Sequence, residues 1–331
     1  MYKRSLEKEL SALKEKLSLE DMPVGIQLPE GLKQYSTLVV DSLRDFNPIL
    51  FVDPMFGACD LRDDEAKKFG CKSLIHFGHT GMGAPSIKTF FVPLYYELSD
   101  IEVSFIVEEV KKLDLRKVNL VTTINYLVHV PRLSDELKKL GVEVLVSKST
   151  SHVKQNMVLG CDASTIIDAS VPVVFIGDGK FHPNNLGFVF DSVDVFVIDP
   201  INKASQKLVV SDSFIKQRYV VVSKALKCNS FGIFVSSKKG QFRLRFANFI
   251  KKKLEAIGKK AYIFACDYVN ESYVEGVDVD CFVNTACPRI AYDDISSFSK
   301  PMLSPQEVFL LEDINSGLKI DQIRDLESFF N

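Results

Sequence analysis

The sequence has no tryptophan, only five histidines, and neither a CxxC pair nor a CxxxCxxC triplet. The missing pair argues against a zinc ribbon, and the missing triplet removes the common cluster loop of radical enzymes. Net charge is also lacking: 41 Lys and Arg stand against 43 Asp and Glu, a formal −2. That balance excludes a broadly basic nucleic-acid binder and an acidic disordered tail, and leaves only local patches to argue from. No run of about 18 uncharged apolar residues is present, the length a membrane-spanning helix needs. The opening MYKRSLEKELSALKEKLSLED lacks the apolar core of a secretory leader. These absences predict a soluble, cytoplasmic protein in a reducing compartment, with no membrane and no direct nucleic-acid partner.

What is present is ordinary globular material, 46% hydrophobic and 25% charged over 331 residues, enough for two or three domains. Leu6, Leu10, Leu13 and Leu17 form a helical seam. About two heptads is too short for a coiled coil, so the seam is expected to pack on its own domain. Short β-branched runs then alternate with helix-length segments, the pattern of parallel α/β units. Candidate strands fall at 24–29, 48–54, 73–78 and 90–95; at 117–124, 143–148, 171–179 and 195–200; and at 230–237, 261–267, 281–288 and 302–311. Their unbroken apolar runs fit strands buried on both faces. Helices are expected over 133–140, stopped by Gly141, and over 241–257, with Phe242, Phe246, Phe249, Ile250, Leu254 and Ile257 on one face. Ser304-Pro305-Gln306-Glu307 reads as a helix start that shortens the last strand. The expectation is an α/β fold of three pseudo-repeated small domains, 1–100, 101–212 and 213–331, each a mostly parallel sheet of about four strands flanked by helices.

Seven cysteines, an odd number spread through a long chain, do not form a disulfide framework. In parallel α/β units, ligands gather at the loops beyond the carboxyl ends of strands. Cys59 (DPMFGACD), Cys161 (VKQNMVLGCD) and Cys287 (FVNTACPR) fall in such loops, one per domain, 102 and 126 residues apart. Three thiolates suit iron, and a cubane held by three leaves one iron open, much as catalytic zinc sites keep a free position. Three unrelated loop cysteines remain the simpler reading on spacing alone. Cys266 and Cys281 lie inside strand patterns, and Cys71 and Cys228 beside turns, where free cysteine fills space.

Nine blocks then resemble one family: GIQLPEGL (25–32), DPMFGACD (53–60), IHFGHTGM (75–82), TTINYLVHVPRL (122–133), VLGCDAS (158–164), FIGDGKFHPNNLG (175–187), VIDP (197–200), KKGQ (238–241) and NTACPRIAYDD (284–294). Together they resemble the archaeal 2-(3-amino-3-carboxypropyl)histidine synthases of the diphthamide biosynthesis family. Thr80-Gly81-Met82 and Asn184-Asn185 depart from the family pattern. The resemblance implies a homodimer and a 4Fe–4S cluster on Cys59, Cys161 and Cys287. It implies a radical transfer of the 3-amino-3-carboxypropyl group of S-adenosylmethionine to a histidine of translation elongation factor 2, with release of methylthioadenosine. An electron donor is implied too, and no catalytic side chain beyond the cluster. Gly177 and Gly179, which let backbone approach a ligand, His182 beside Pro183, and Arg289, able to clamp a carboxylate or to pair with Asp293 or Asp294, are candidate contacts to the cofactor. His76 and His79 are expected to be structural, and the Lys- and Arg-rich stretch 238–260 to be a solvated helix face rather than a docking patch. Two alternatives stay open: another three-cysteine 4Fe–4S enzyme of the quinolinate synthase kind, whose sequence blocks are not seen, and a non-catalytic partner subunit, which would be expected to have lost a ligand cysteine.

Overall fold

The structure is a computed structural model that describes residues 2–150, 152–179, 181–190, 192–209 and 212–324. The chain gathers into two compact units. The first comprises Met1–Val158, Ser164–Lys180 and Ser192–Lys207, and the second Leu159–Ala163, Phe181–Asp191 and Leu208–Asn331. Among the described residues no helix is long and apolar enough to cross a membrane.

The first unit opens with α1 (Tyr2–Lys14), followed by β1 (Val24–Gln27), α2 (Ser36–Ser42), β2 (Ile49–Phe51), α3 (Asp63–Lys68), β3 (Ser73–Phe77) and β4 (Lys88–Val92). The leucine seam does what its spacing requires: Leu6, Leu10, Leu13 and Leu17 are buried against Val24, Ile26, Val39 and Ile75 of the same unit. The strands form a parallel sheet in the order β2-β1-β3-β4, with Gly25 level with Ile49 on one side and Leu74 on the other. A second sheet is built from α4 (Asp100–Lys112), β5 (Lys117–Thr122), α5 (Val130–Lys139), β6 (Glu143–Val144), β7 (Val173–Ile176), β8 (Val195–Asp199) and β9 (Ala204–Leu208), ordered β6-β5-β7-β8-β9. A reciprocal cap starts α4: the Ser99 N–H donates to the Glu102 carboxylate at 2.6 Å, and the Ser99 hydroxyl accepts from the Glu102 N–H at 3.4 Å. Gly141, at φ +82°, follows α5 at the predicted stop. The strand that periodicity missed is β9, whose ASQKL is polar and exposed at the sheet edge.

In the second unit, α6 (Phe181–Val189) precedes α7 (Asp212–Leu226), β10 (Ser230–Ser236), α8 (Leu244–Ala256), β11 (Lys260–Cys266), β12 (Cys281–Asn284), α9 (Ile290–Asp293) and β13 (Met302–Leu303). The sheet order is β11-β10-β12-β13, all parallel. Phe246, Ile250 and Leu254 of α8 bury against Phe231, Ile233 and Val283, as the helical face predicted. Phe242 does not belong to that face: it precedes the helix, in extended backbone, and is 55% exposed. The last expected strand shrinks to two residues, and the chain turns into a 3-10 helix at Gln306–Leu311. Pro305, not Ser304, is its cap residue, while the Glu307 carboxylate accepts from the Ser304 N–H at 2.7 Å.

All three sheets thus share one order, second-first-third-fourth strand, with the fifth strand of the middle sheet added at an edge. In such sheets the chain leaves in opposite directions from the first and third strands, and the crevice beyond their carboxyl ends is where ligands bind.

Candidate functional site

Cys59 sits half-buried in the turn between β2 and α3, outside any disulfide, with the Asp60 N–H donating to the Gly57 carbonyl at 3.0 Å. Gln27, the last residue of β1, pins this turn. Its Nε2 donates to the Asp60 carbonyl at 2.6 Å, and its Oε1 accepts from the Arg62 N–H at 3.2 Å. With Oε1 an acceptor, His76 Nδ1 at 3.0 Å must carry a proton, so its Nε2 is an acceptor for His79 Nδ1 at 3.1 Å. Burial lowers the pKa of His76 well below 6.5, with the neighbouring His79 adding to it, and burial brings that of His79 to about 4. Both imidazoles are therefore neutral near pH 7 and serve to orient Gln27, the structural role expected of them.

Cys161 occupies the turn of a tight antiparallel bridge in the second unit. The Leu159 N–H donates to the Asp162 carbonyl at 2.8 Å and the Asp162 N–H to the Leu159 carbonyl at 3.3 Å. Gly160 is favoured there on steric grounds, because an added Cβ would stand 2.2 Å from the Phe181 ring and push it aside. The Ile323 N–H donates to the Cys161 carbonyl at 2.9 Å, and the Ala163 N–H to Gln322 Oε1 at 3.2 Å. Cys287 follows β12. Its carbonyl accepts from Asn284 Nδ2 at 2.8 Å and from the Ile290 N–H at 3.1 Å, which starts α9.

Arg289, only 4% exposed, pairs with Asp293 through Nε at 2.8 Å and Nη2 at 2.7 Å. The salt bridge foreseen for it forms, yet Nη1 has no hydrogen-bond partner among the described residues and remains a donor for a ligand. The guanidinium lies 5.0 Å from the centre of the Phe181 ring and 5.7 Å from that of Phe188. His182 packs edge-on to Phe181 at 5.1 Å. Phe181 therefore brings together three of the predicted features, Arg289, His182 and the Cys161 turn. Beside them a cavity of about 270 Å³ is lined by Asn184, Phe188, Phe214, Tyr292 and Asp293. Gly177 and Gly179 belong to the first unit, following β7 at φ +154° and +75°, a region that favours glycine. An added Cβ at Gly177 would press on Phe175 at 3.0 Å, and at Gly179 it would meet open space.

Much of the basic stretch is taken up inside its own unit. Lys251 pairs with Glu255 at 2.9 Å, Lys253 with Glu312 at 2.9 Å, and Lys259 donates to the Cys228 carbonyl at 2.6 Å. Of the remaining cysteines, Cys71 and Cys281 are raised in pKa by burial, and Cys266 is pushed up to about 11, mainly by burial and next by Asp267. Raised values disfavour the thiolate that binds iron. Cys228 is lowered to about 7 by a hydrogen bond with Cys281. Among the described residues no three His, Cys, Asp or Glu side chains group to hold a metal ion. The donor chemistry of the half-buried thiols of Cys59, Cys161 and Cys287, set in loops rather than in strands and outside any disulfide, suits iron–sulfur ligation.

Sequence reasoning overlooked Gln27, Phe181, Arg243, Asp321 and Gln322. Gln27 and Phe181 lie within quoted blocks, and Arg243 two residues past KKGQ, but nothing local marks Asp321 or Gln322. Asn185, noted as a departure, is buried and bonds the Leu159 carbonyl at 3.4 Å and Gln322 at 2.9 Å.

Three like-ordered α/β sheets with a half-buried loop cysteine after a strand of each define a class of three-cysteine α/β proteins. The chain belongs to the diphthamide synthesis protein family, whose model matches residues 28–318. It is 35% identical over 316 residues to the 2-(3-amino-3-carboxypropyl)histidine synthase of Pyrococcus horikoshii, covering 94% of this chain and 92% of that one. The Methanocaldococcus jannaschii enzyme of the same name is 29% identical over 331 residues, covering 94% and 90%. A Caenorhabditis elegans relative, 28% identical over 302 residues and covering 88% and 76%, is named as subunit 1 of that synthase. Among solved structures, Dph2 from Pyrococcus horikoshii with a 4Fe–4S cluster matches at a TM-score of 0.85 and 33% identity, covering 96% of this chain and 93% of that one.

Proposed function

We propose that this chain is a cytoplasmic, iron–sulfur-dependent 3-amino-3-carboxypropyl transferase that modifies a histidine of translation elongation factor 2, the first step of diphthamide biosynthesis. Cys59, Cys161 and Cys287 are its cluster ligands, one from each of three domains divided near residues 100 and 212. The observation that carries the reading is the sorting of the seven cysteines: these three alone are half-buried in loops beyond strand ends, while the others fill strands and turns. When bound, the cluster supplies the electron that breaks the bond between sulfur and the γ-carbon of S-adenosylmethionine, and methylthioadenosine leaves.

The chain's own residues bind and orient. Arg289 keeps Nη1 as a donor for the methionyl carboxylate while Asp293 holds the rest of its guanidinium, so the ligand meets a fork already fixed in place. Phe181 and Phe188 shield that fork from water, which strengthens the charge–charge contact. His182 hydrogen-bonds the bound substrate from the start of α6, and Gly177 and Gly179 leave their backbone open to it. The functional form in this reading is a homodimer, as the family resemblance implies.

The test is anaerobic. Purified chain with a reductant, S-adenosylmethionine and archaeal elongation factor 2 should yield methylthioadenosine and a modified histidine. Appearance of 5′-deoxyadenosine instead would refute the bond assignment. Changing Cys59, Cys161 or Cys287 to Ala should abolish the brown absorbance, and wild-type protein without iron or sulfide under strict anaerobiosis would overturn the ligand set.

A further inference from the structure

We infer that Arg243, Asp321 and Gln322 form a buried clamp that locks the Cys161 loop to the Cys287 loop, making them positioning residues for two of the three thiolates. The inference rests on the ligand assignment above. All of its parts lie in the second unit.

Arg243 stands in the turn before α8, with 3% of its side chain exposed. On one side Nε donates to the Thr285 carbonyl at 2.8 Å and Nη2 to the Ala286 carbonyl at 2.9 Å, the two residues that lead into Cys287. On the other, Nη1 and Nη2 grip both oxygens of Asp321, at 2.8 and 2.6 Å, and Nη1 reaches the Gln322 carbonyl at 3.2 Å. Asp321 is itself held by its N–H, which donates to the Tyr292 hydroxyl at 2.8 Å. From there the chain runs directly to Cys161: Gln322 Oε1 accepts from the Ala163 N–H, and the Ile323 N–H donates to the Cys161 carbonyl. A single buried ion pair thus joins the backbone before one cysteine to the backbone at and just after the other.

The geometry demands arginine. A planar fork serves two carbonyls and a carboxylate at once, whereas a lysine ammonium is a point donor that cannot span them. Removing half of a buried pair also leaves an uncompensated charge. Outer contacts that orient metal ligands are worth about 10–100-fold in metal affinity. The same unit contains a control. Arg218 and Glu307 form an equally buried bidentate pair, but the remaining Arg218 bonds go to the carbonyls of Ala291 at 2.6 Å and Met302 at 3.0 Å, and its guanidinium faces the Tyr292 ring, so it makes no direct bond to either cysteine turn.

The experiment compares the full-length wild-type chain with Arg243→Lys, Asp321→Asn and Arg218→Lys. Anaerobically loaded protein is challenged with a ferrous chelator, and iron-free protein is followed by amide hydrogen exchange. Arg243→Lys and Asp321→Asn should release iron about 10–100-fold faster, alter the paramagnetic resonance signal of the reduced protein, and speed exchange at Ala163 and Ile323. Arg218→Lys, which reaches the clamp only through the Tyr292 ring, should lose comparable stability in urea and change all three readouts much less than either clamp variant. Unchanged exchange at Ala163 and Ile323 in the first two variants overturns the clamp, as does equal acceleration of iron loss by Arg218→Lys. Wild-type protein that holds no iron would instead overturn the ligand assignment, and the exchange result would still decide the clamp.

Discussion

Gly160→Ala tests the packing that surrounds the Cys161 turn. Gly160 does not sit in the left-handed region, so alanine meets no backbone strain there, and the effect is purely steric. Its Cβ would stand 2.2 Å from Cε1 of Phe181 and 2.7 Å from both Cδ1 and Cζ. Carbon atoms at rest are about 3.5 Å apart or more, so the ring must retreat by roughly 1.3 Å. Overpacking of this size costs about 1–3 kcal/mol. Phe181 is 49% exposed and can swing outward, which puts the cost in the lower half of that range. Swinging outward also removes its face from Arg289, worth about 0.5–1 kcal/mol at a partly exposed site. Urea unfolding of Gly160→Ala, Phe181→Ala and the double variant should therefore show a coupling of about 1.5–3 kcal/mol, with Gly160→Ala almost free once the ring is gone. A Gly160→Ala cost that is the same with and without the Phe181 ring would refute the steric argument.

Other expectations follow from the same contacts. Leu10→Ala removes a buried member of the α1 seam and should cost about 2–5 kcal/mol in urea unfolding; a cost below 1 kcal/mol would mean that α1 does not pack as described. His79 has a folded pKa of about 4 against 6.5 unfolded, so the unfolded chain binds more protons between those values. Its contribution is complete above pH 6.5 and is lost as pH falls towards 4, on the order of 1 kcal/mol per pH unit. His79→Gln should flatten the stability–pH curve in that window, and an unaltered slope would contradict the assigned burial. Cys71→Ala, Cys266→Ala and Cys281→Ala should each retain wild-type iron and sulfide; loss of the cluster in any of them would break the sorting of the cysteines.

The elements were legible because their signals are local. Runs such as VGIQ and FGIFVS are apolar on both faces, and each of the twelve expected strands has a counterpart that pairs in parallel or lies in a mostly parallel sheet. Strand ends were less so: 171–179 contracts to Val173–Ile176, because the glycines that follow turn away from the sheet instead of extending it. β9 escaped since an exposed edge strand carries no hydrophobic alternation. Arg289 was half legible, its partner at i+4 being readable from helical spacing and its unpaired Nη1 not.

The contacts that hold the cysteine turns were hidden for a different reason. Arg243 and Asp321 are 78 residues apart, and Ala163 and Gln322 are 159 apart. Neither pairing follows any helical or strand period. In isolation Asp321-Gln322 reads as polar surface, and only the completed fold turns those groups inward to meet backbone atoms. A cysteine announces itself by its chemistry wherever it lies. What keeps its sulfur in one place is a set of ordinary side chains bonded to the carbonyls and amides around it, and the residue types alone carry no mark of that work. The distinction has a practical consequence: substitutions at Gln27, Arg243 or Asp321 should loosen the cysteine turns while every sulfur that sequence reading would inspect remains intact.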